Sequence, residues 1–282
     1  MTGSMNNPAV IADIAKQAVL SLALATVGFF GLNGCASNQE HSARTGAKPD
    51  LITESDEPDI RRRARIRLEL AVGYFEQGQT TIALDEIKQS IVTDPGWSEA
   101  YNLRGLVYMR LNELRLAEDS FKRALAINPL EGNVLHNYGW LTCQQARYVE
   151  STQFFLQALA SPVYLERAKT WMAQGLCQIK AGLRADAEAS LVRSYQLDAG
   201  NPITGYNLGL LLFQRGDLPN AQFYARRLNN SELANAESLW LGIKVERRLD
   251  NPEAVLQLSG QLKKRFPQSP EAAAYERGAF NE

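Results

Sequence analysis

One spacing limits what this chain can become more than any other feature. Small residues recur as Ala71, Gly105, Gly139, Gly175, Gly209 and Gly242, at intervals of 34, 34, 36, 34 and 33. Twelve residues after each stands a second small residue: Ala83, Ala117, Ser151, Ala187, Ala221 and Ala254. Two such columns predict stacked helical hairpins, each small residue marking a place where paired helices approach too closely for bulk. A hairpin of this size cannot bury its apolar face alone, so neighbours must stack into one continuous core. The bland alternative is a helical bundle with accidental periodicity. Against it stands the single register shared by all the copies.

The best-written copy runs from Ser98 to Glu131. Tyr101, Gly105 and Tyr108 fall on its first helix; Ala117, Phe121 and Ala124 fall on its second, which Pro129 stops. Later copies drift: Thr142 stands at a usual Tyr position, Ala146 at a usual hairpin Gly, and Gly205 where a large residue is usual. The pattern resembles the tetratricopeptide repeat family over roughly residues 60–270. That resemblance implies an all-α fold of six helical hairpins in a right-handed superhelix. The stretch from Pro270 to Phe280 predicts a short C-terminal closing helix over the open end of the stack.

The chemistry the chain lacks narrows its function. It has 282 residues, a net charge of −1, two His and three Cys. So balanced a charge gives no general argument for nucleic acid, and three Cys make no disulfide framework. His136 and Cys143 are seven residues apart, about 10 Å along a helix, too far to act as a nucleophile and its base. There is no glycine-rich phosphate loop, no His-Glu-x-x-His and no Cys-x-x-Cys. The reading is of a non-enzymatic protein with no catalytic residue, no metal, no cofactor and no small-molecule substrate.

The N-terminal stretch reads differently. Residues 18–32, AVLSLALATVGFFGL, form an apolar run of signal-peptide length, shorter than a comfortable membrane span. Leu32, Asn33, Gly34 and Cys35 follow as a lipobox, with Leu32 and Gly34 framing a Cys35 that would be lipidated; the alternative is a plain anchor with an incidental Cys. By resemblance to bacterial lipoproteins, Ala36 after the Cys favours the outer membrane. The expected organisation is a signal peptide over 1–34, a disordered lipid-anchored tether over 35–59, and a six-repeat solenoid over 60–282. Either Met1 or Met5 can be the start. Asp59 and its acidic neighbours suit a helix start. The Arg61, Arg62, Arg63, Arg65, Arg67 run that follows reads either as a solvated face or as a contact to anionic lipid or wall polymer.

The third repeat into the fourth reads His136-Asn137-Tyr138-Gly139-Trp140-Leu141-Thr142-Cys143, Arg147-Tyr148, Pro162-Val163-Tyr164 and Gly175-Leu176-Cys177, and the repeat consensus asks for neither the pair of Cys nor the two-residue insertion around Pro162-Val163-Tyr164. With the lipobox and the tether, these residues resemble the pilotin family of type IV pilus biogenesis and stability lipoproteins, the PilF/PilW type. The resemblance implies an outer-membrane lipoprotein facing the periplasm that binds the pilus secretin subunit and promotes its localisation and multimerisation. Taken alone, the residues read as a lipid-anchored helical-repeat scaffold. The second reading is an adaptor for peptidoglycan enzymes or outer-membrane protein assembly.

Tetratricopeptide proteins bind partners on the face lined by their first helices. Positions 5, 9 and 12 of those helices carry over as Leu68, Val72, Phe75; Asn102, Leu106, Met109; His136, Trp140, Cys143; Met172, Leu176, Ile179; Tyr206, Leu210, Phe213; and Leu239, Ile243, Glu246. Most are apolar, so about half are assigned to packing and the rest to an exposed stripe. An apolar or amphipathic segment is the expected ligand. Repeat one, with Leu68 and Phe75, is expected to be the least covered. Cys143 and Cys177 fall on first helices of adjacent repeats, whose axes pack about 8–10 Å apart. They are either bonded or two separate buried thiols. The Cα separation decides, since a bond needs it within about 7 Å.

Overall fold

The computed structural model describes residues 56–280, all within one compact unit, Thr53–Glu282. The signal peptide, the lipobox residues Leu32, Gly34 and Cys35, and most of the tether lie outside the described residues. Among those residues are thirteen helices and no strand. Twelve pair off in chain order: α1 (Asp59–Glu76) with α2 (Thr80–Thr93), α3 (Ser98–Arg110) with α4 (Leu114–Ile127), and α5 (Gly132–Gln144) with α6 (Tyr148–Ala160). Then come α7 (Arg167–Lys180) with α8 (Arg184–Leu197), α9 (Pro202–Arg215) with α10 (Leu218–Asn229), and α11 (Ala236–Arg248) with α12 (Pro252–Arg265). Each second helix also packs on the next first helix, and successive first helices touch one another. This is the superhelical stack the period predicts.

The small-residue columns do the packing assigned to them. A methyl group on Gly105 would clash with the ring of Phe121, 2.4 Å from its nearest atom, and one on Gly139 would press on Phe155 at 2.9 Å. Sixteen residues after each first-column member, the second helix supplies the group that fills the groove: Ile87, Phe121, Phe155 and Leu191 in repeats one to four, all fully buried. Repeat five puts Ala225 there, and Leu241 of the next repeat fills in beside Gly209. In the second column, Ala83, Ala117, Ser151, Ala187 and Ala221 are fully buried. Ala254, in the last repeat, is half-buried.

Two further columns make the turns. Each hairpin reverses through one residue with left-handed backbone: Gly78, Asn112, Ala146, Gly182, Gly216 and Asp250. Such backbone is open to Gly, tolerated by Asn and Asp, and costly for Ala, whose Cβ crowds the carbonyl. Between repeats, Asp94, Asn128 and Asp198 end their helices and accept from the backbone N–H two residues on, at 3.0, 3.3 and 3.1 Å. The α6–α7 connection breaks this pattern. Ser161 stands at the cap, and the insertion makes a longer loop through Leu165.

The last helix, α13 (Pro270–Arg277), starts on a Ser269 side-chain cap and packs on α11 and α12. It stands where a seventh first helix would stand. Leu239, Trp240, Ile243, Leu262 and Ala272 form a core there, with Tyr275 and Phe280 against it.

Candidate partner groove and the inserted loop

The side chains at positions 9 and 12, with Met172 and Tyr206 at position 5, set the character of the first-helix face. Phe75, Leu106, Met109, Trp140, Met172, Leu176, Ile179, Tyr206, Leu210 and Phe213 are half-buried, and Val72 is 39% exposed. Nearly all pack one side against the adjoining core and leave the other open. Together they form an apolar stripe crossing repeats one to five.

Six of the placements read from sequence need correction, for Leu68, His136, Cys143, Leu239, Ile243 and Glu246 are all buried. Leu68 is not groove but core: it is 8% exposed and clusters with Ala64, Ala71, Ile87, Ala100 and Leu103, because position 5 of α1 faces α2 and α3. Leu239 and Ile243 are fully buried, since α13 and the C-terminal aromatic residues cover repeat six. Glu246 is 1% exposed and structural: its carboxylate accepts from Arg226, Gln222 and Asn251 at 2.6–3.1 Å. Burial pushes its pKa up, but those donors outweigh burial and hold it below the usual range.

Sequence reasoning also missed a row of cations. Arg110 lies 3.7 Å from the ring centroid of Phe75, Lys180 lies 5.3 Å from that of Trp140, and Arg248 lies 5.2 Å from that of Phe213. Each cation belongs to the repeat after its aromatic partner, near the end of a first helix where the dipole favours positive charge. The stripe is therefore amphipathic: apolar along its floor and cationic along one edge. The signal lay in basic residues 35 downstream of Phe75 and Phe213 and 40 downstream of Trp140. The Arg run of α1, by contrast, is engaged within the chain: Arg61 pairs with Asp94, Arg62 with Asp59, Arg65 with Glu57 and Glu69, and Arg67 with Glu86. That pairing fits the solvated-face reading.

Cys143 and Cys177 are joined in a disulfide with Cα atoms 5.8 Å apart, buried beside Phe155 and Ala173. The bond ties α5 to α7 across the inserted loop. Within that loop Tyr164 turns inward and lies over Gly132, where any Cβ would collide with its ring. Its hydroxyl lies 2.7 Å from Thr170 Oγ1, which lies 2.8 Å from His136 Nδ1. With His136 neutral, both hydrogen bonds are satisfied in either direction: Tyr164 donates to Thr170 and Thr170 to a bare Nδ1, or an Nδ1–H donates to Thr170 and Thr170 to Tyr164. Burial, helped by nearby Lys169, pushes the His136 pKa down to about 4, and burial raises that of Tyr164. Among the described residues no group of three or more His, Cys, Asp or Glu could hold a metal ion. No helix there is long and apolar enough to cross a membrane.

The tetratricopeptide repeat family matches residues 98–129, the best-written copy. The crystal structure of PilW, described as a widely conserved type IV pilus biogenesis factor, superposes with a TM-score of 0.68 at 30% identity, covering 75% of this chain and 97% of that one. The structure of Pseudomonas aeruginosa PilF gives 0.70 at 26% identity, covering 77% and 99%. In sequence, the type IV pilus assembly protein PilF of that organism is 26% identical over 241 residues, 86% of this chain and 92% of the relative. YrrB, a tetratricopeptide protein with a peptide-binding site, shares the fold alone, with a TM-score of 0.54 at 17% identity.

Hairpins, columns and groove define the class: this is a tetratricopeptide repeat protein. Near-complete coverage of PilW at 30% identity and of PilF at 26% goes further, and the chain belongs to the PilF/PilW family of type IV pilus biogenesis proteins. That membership supports a role in type IV pilus biogenesis.

Proposed function

We propose that the protein is a pilotin: a lipoprotein anchored through Cys35 in the outer membrane, facing the periplasm, whose groove binds a pilus secretin subunit and promotes its multimerisation. The observation that carries the reading is the half-open apolar stripe across five repeats, in a chain that spans 97% of PilW. An exposed apolar stripe of this kind marks a partner site, and a first-helix groove suits an apolar or amphipathic segment. The cationic edge adds orientation and steering. A buried disulfide fits an oxidising compartment such as the periplasm, and the lipobox fits an anchor.

The test is deletion of the chain followed by electrophoresis of the secretin without full denaturation. Loss of multimers with monomers retained is the expected result. Normal multimers and pili would overturn the reading in favour of an adaptor for peptidoglycan enzymes or outer-membrane protein assembly. Mass spectrometry of the mature N-terminus tests the anchor separately, and an unmodified Cys35 would refute it.

A further inference from the structure

The apolar surface of this molecule is not confined to the groove. Leu130, Val163 and Leu165 are 75%, 82% and 88% exposed, among the most exposed large aliphatic side chains of the described residues. They come from two neighbouring inter-repeat loops, α4–α5 and α6–α7, and all three line one cavity of about 750 Å³. Contiguous exposed aliphatic groups cost solubility, and where they persist they mark contact sites.

The loop that presents them is tightly held. Its Tyr164 is 6% exposed and seated over Gly132, with its hydroxyl tied through Thr170 to His136. Arg167 donates to the Leu159 carbonyl at 2.6 Å, fastening the start of α7 to the end of α6. The Cys143–Cys177 bond joins the helices on either side. A shorter Asx turn, of the kind that follows α2 and α8, would bridge these repeats without exposing Val163 and Leu165. The insertion therefore spends two extra residues on holding an apolar edge outward in a fixed shape. Such pre-organisation lowers the entropic cost of binding.

The charges at the mouth select the partner. Glu131 and Glu166 line it against a single ammonium, that of Lys169. The amides of Asn128 and Asn133 donate to Glu131, and none of the ion pairs among the described residues involves Glu131 or Glu166. That balance disfavours an anionic lipid surface and favours a cationic group beside an apolar one. We propose that this cavity is a second docking site, separate from the first-helix groove, for an apolar segment of a partner protein that carries Lys or Arg. It does not depend on the secretin reading.

The experiment uses the full chain in its own cells, with the photocrosslinking residue benzoylphenylalanine at position 165 and, as a control, at the comparably exposed position 256. Adducts are mapped to the crosslinked peptide by mass spectrometry. The expected result is one protein adduct at 165, absent at 256, whose crosslinked segment combines apolar residues with Lys or Arg. A background of Glu131→Gln and Glu166→Gln should lower its yield several-fold. Both carboxylates are at the surface, so the fold should survive, and an unchanged melting temperature would check that. A lipid adduct, a second copy of this chain, an acidic segment, or no yield above the 256 control would each overturn the proposal. So would a yield indifferent to the paired Gln substitutions.

Discussion

Acid should loosen this protein at one identifiable imidazole. His136 is 6% exposed, and its Nδ1 ends the hydrogen-bonded chain from Tyr164 through Thr170. Protonation would leave the ring with two N–H donors and no acceptor, and would place a charge in a buried site near Lys169. The folded pKa, about 4, lies below the ordinary value of 6.5. A depressed imidazole favours the fold while neutral: its contribution is complete above pH 6.5 and is lost as pH falls from 6.5 to 4. The separation corresponds to about 3 kcal/mol at the acid end. The assay is an NMR titration of the imidazole carbon–proton signal in a His41→Gln background, which leaves one histidine. Urea unfolding of this protein and of a His136→Gln variant is then compared at pH 7.5 and pH 4.5. The account predicts a His136 midpoint well below 5 and a stability gap between the two proteins that shifts by about 2–3 kcal/mol toward the variant on acidification. A midpoint at 6 or above, or a gap independent of pH, would refute the buried neutral chain and with it the anchoring of the inserted loop.

Other substitutions test the packing and the turns. Ala146→Gly, at a left-handed exposed turn, should raise stability by about 1 kcal/mol in chemical denaturation, whereas Gly182→Ala at the equivalent turn should lower it by a similar amount. Gly105→Ala should cost about 1–3 kcal/mol because the new methyl meets the Phe121 ring, whereas Gly205→Ala, in helix α9 with open space at its Cβ, should gain about 0.5–1 kcal/mol. The Cys143→Ser, Cys177→Ser pair should lose about 3–4 kcal/mol in the chain-entropy picture for a 34-residue separation. A thiol count on unreduced denatured protein checks the bond: reactive Cys143 and Cys177 would contradict it.

How far the sequence led depended on whether a feature repeated. The hairpins and the close approaches at Gly105 and Gly139 follow from columns visible in the letters, and the closing helix from Pro270 at its start. The left-handed turn column was legible at Gly78, Gly182 and Gly216 but hidden at Asn112 and Asp250, where the shape is imposed by the hairpin and not announced by the residue. Groove positions 9 and 12 emerge open or half-open in repeats one to five, save Cys143, which is buried in its disulfide. Position 5 fails at Leu68 because α3 packs across it, and the sixth repeat fails because α13 closes over it. The His136–Thr170–Tyr164 chain could not be read from spacing at all. It joins a helix to an insertion, and an insertion has no register to borrow. The cation row was readable only once each first helix was known to lie against the next.

The proposed pilotin role turns on whether the groove itself engages the secretin, and Val72 offers the cleanest probe. It is 39% exposed, so Val72→Asp places a charge on the stripe with little damage to the core. A central apolar anchor typically carries at least about 2 kcal/mol of binding, or roughly thirty-fold in affinity. The measurement is the ratio of secretin multimer to monomer in cells carrying Val72→Asp, alongside a helical spectrum and melting temperature equal to those of the unaltered protein. The account predicts a collapse of multimers with the chain folded and abundant. Undiminished multimers in cells whose Val72→Asp chain is folded would contradict it.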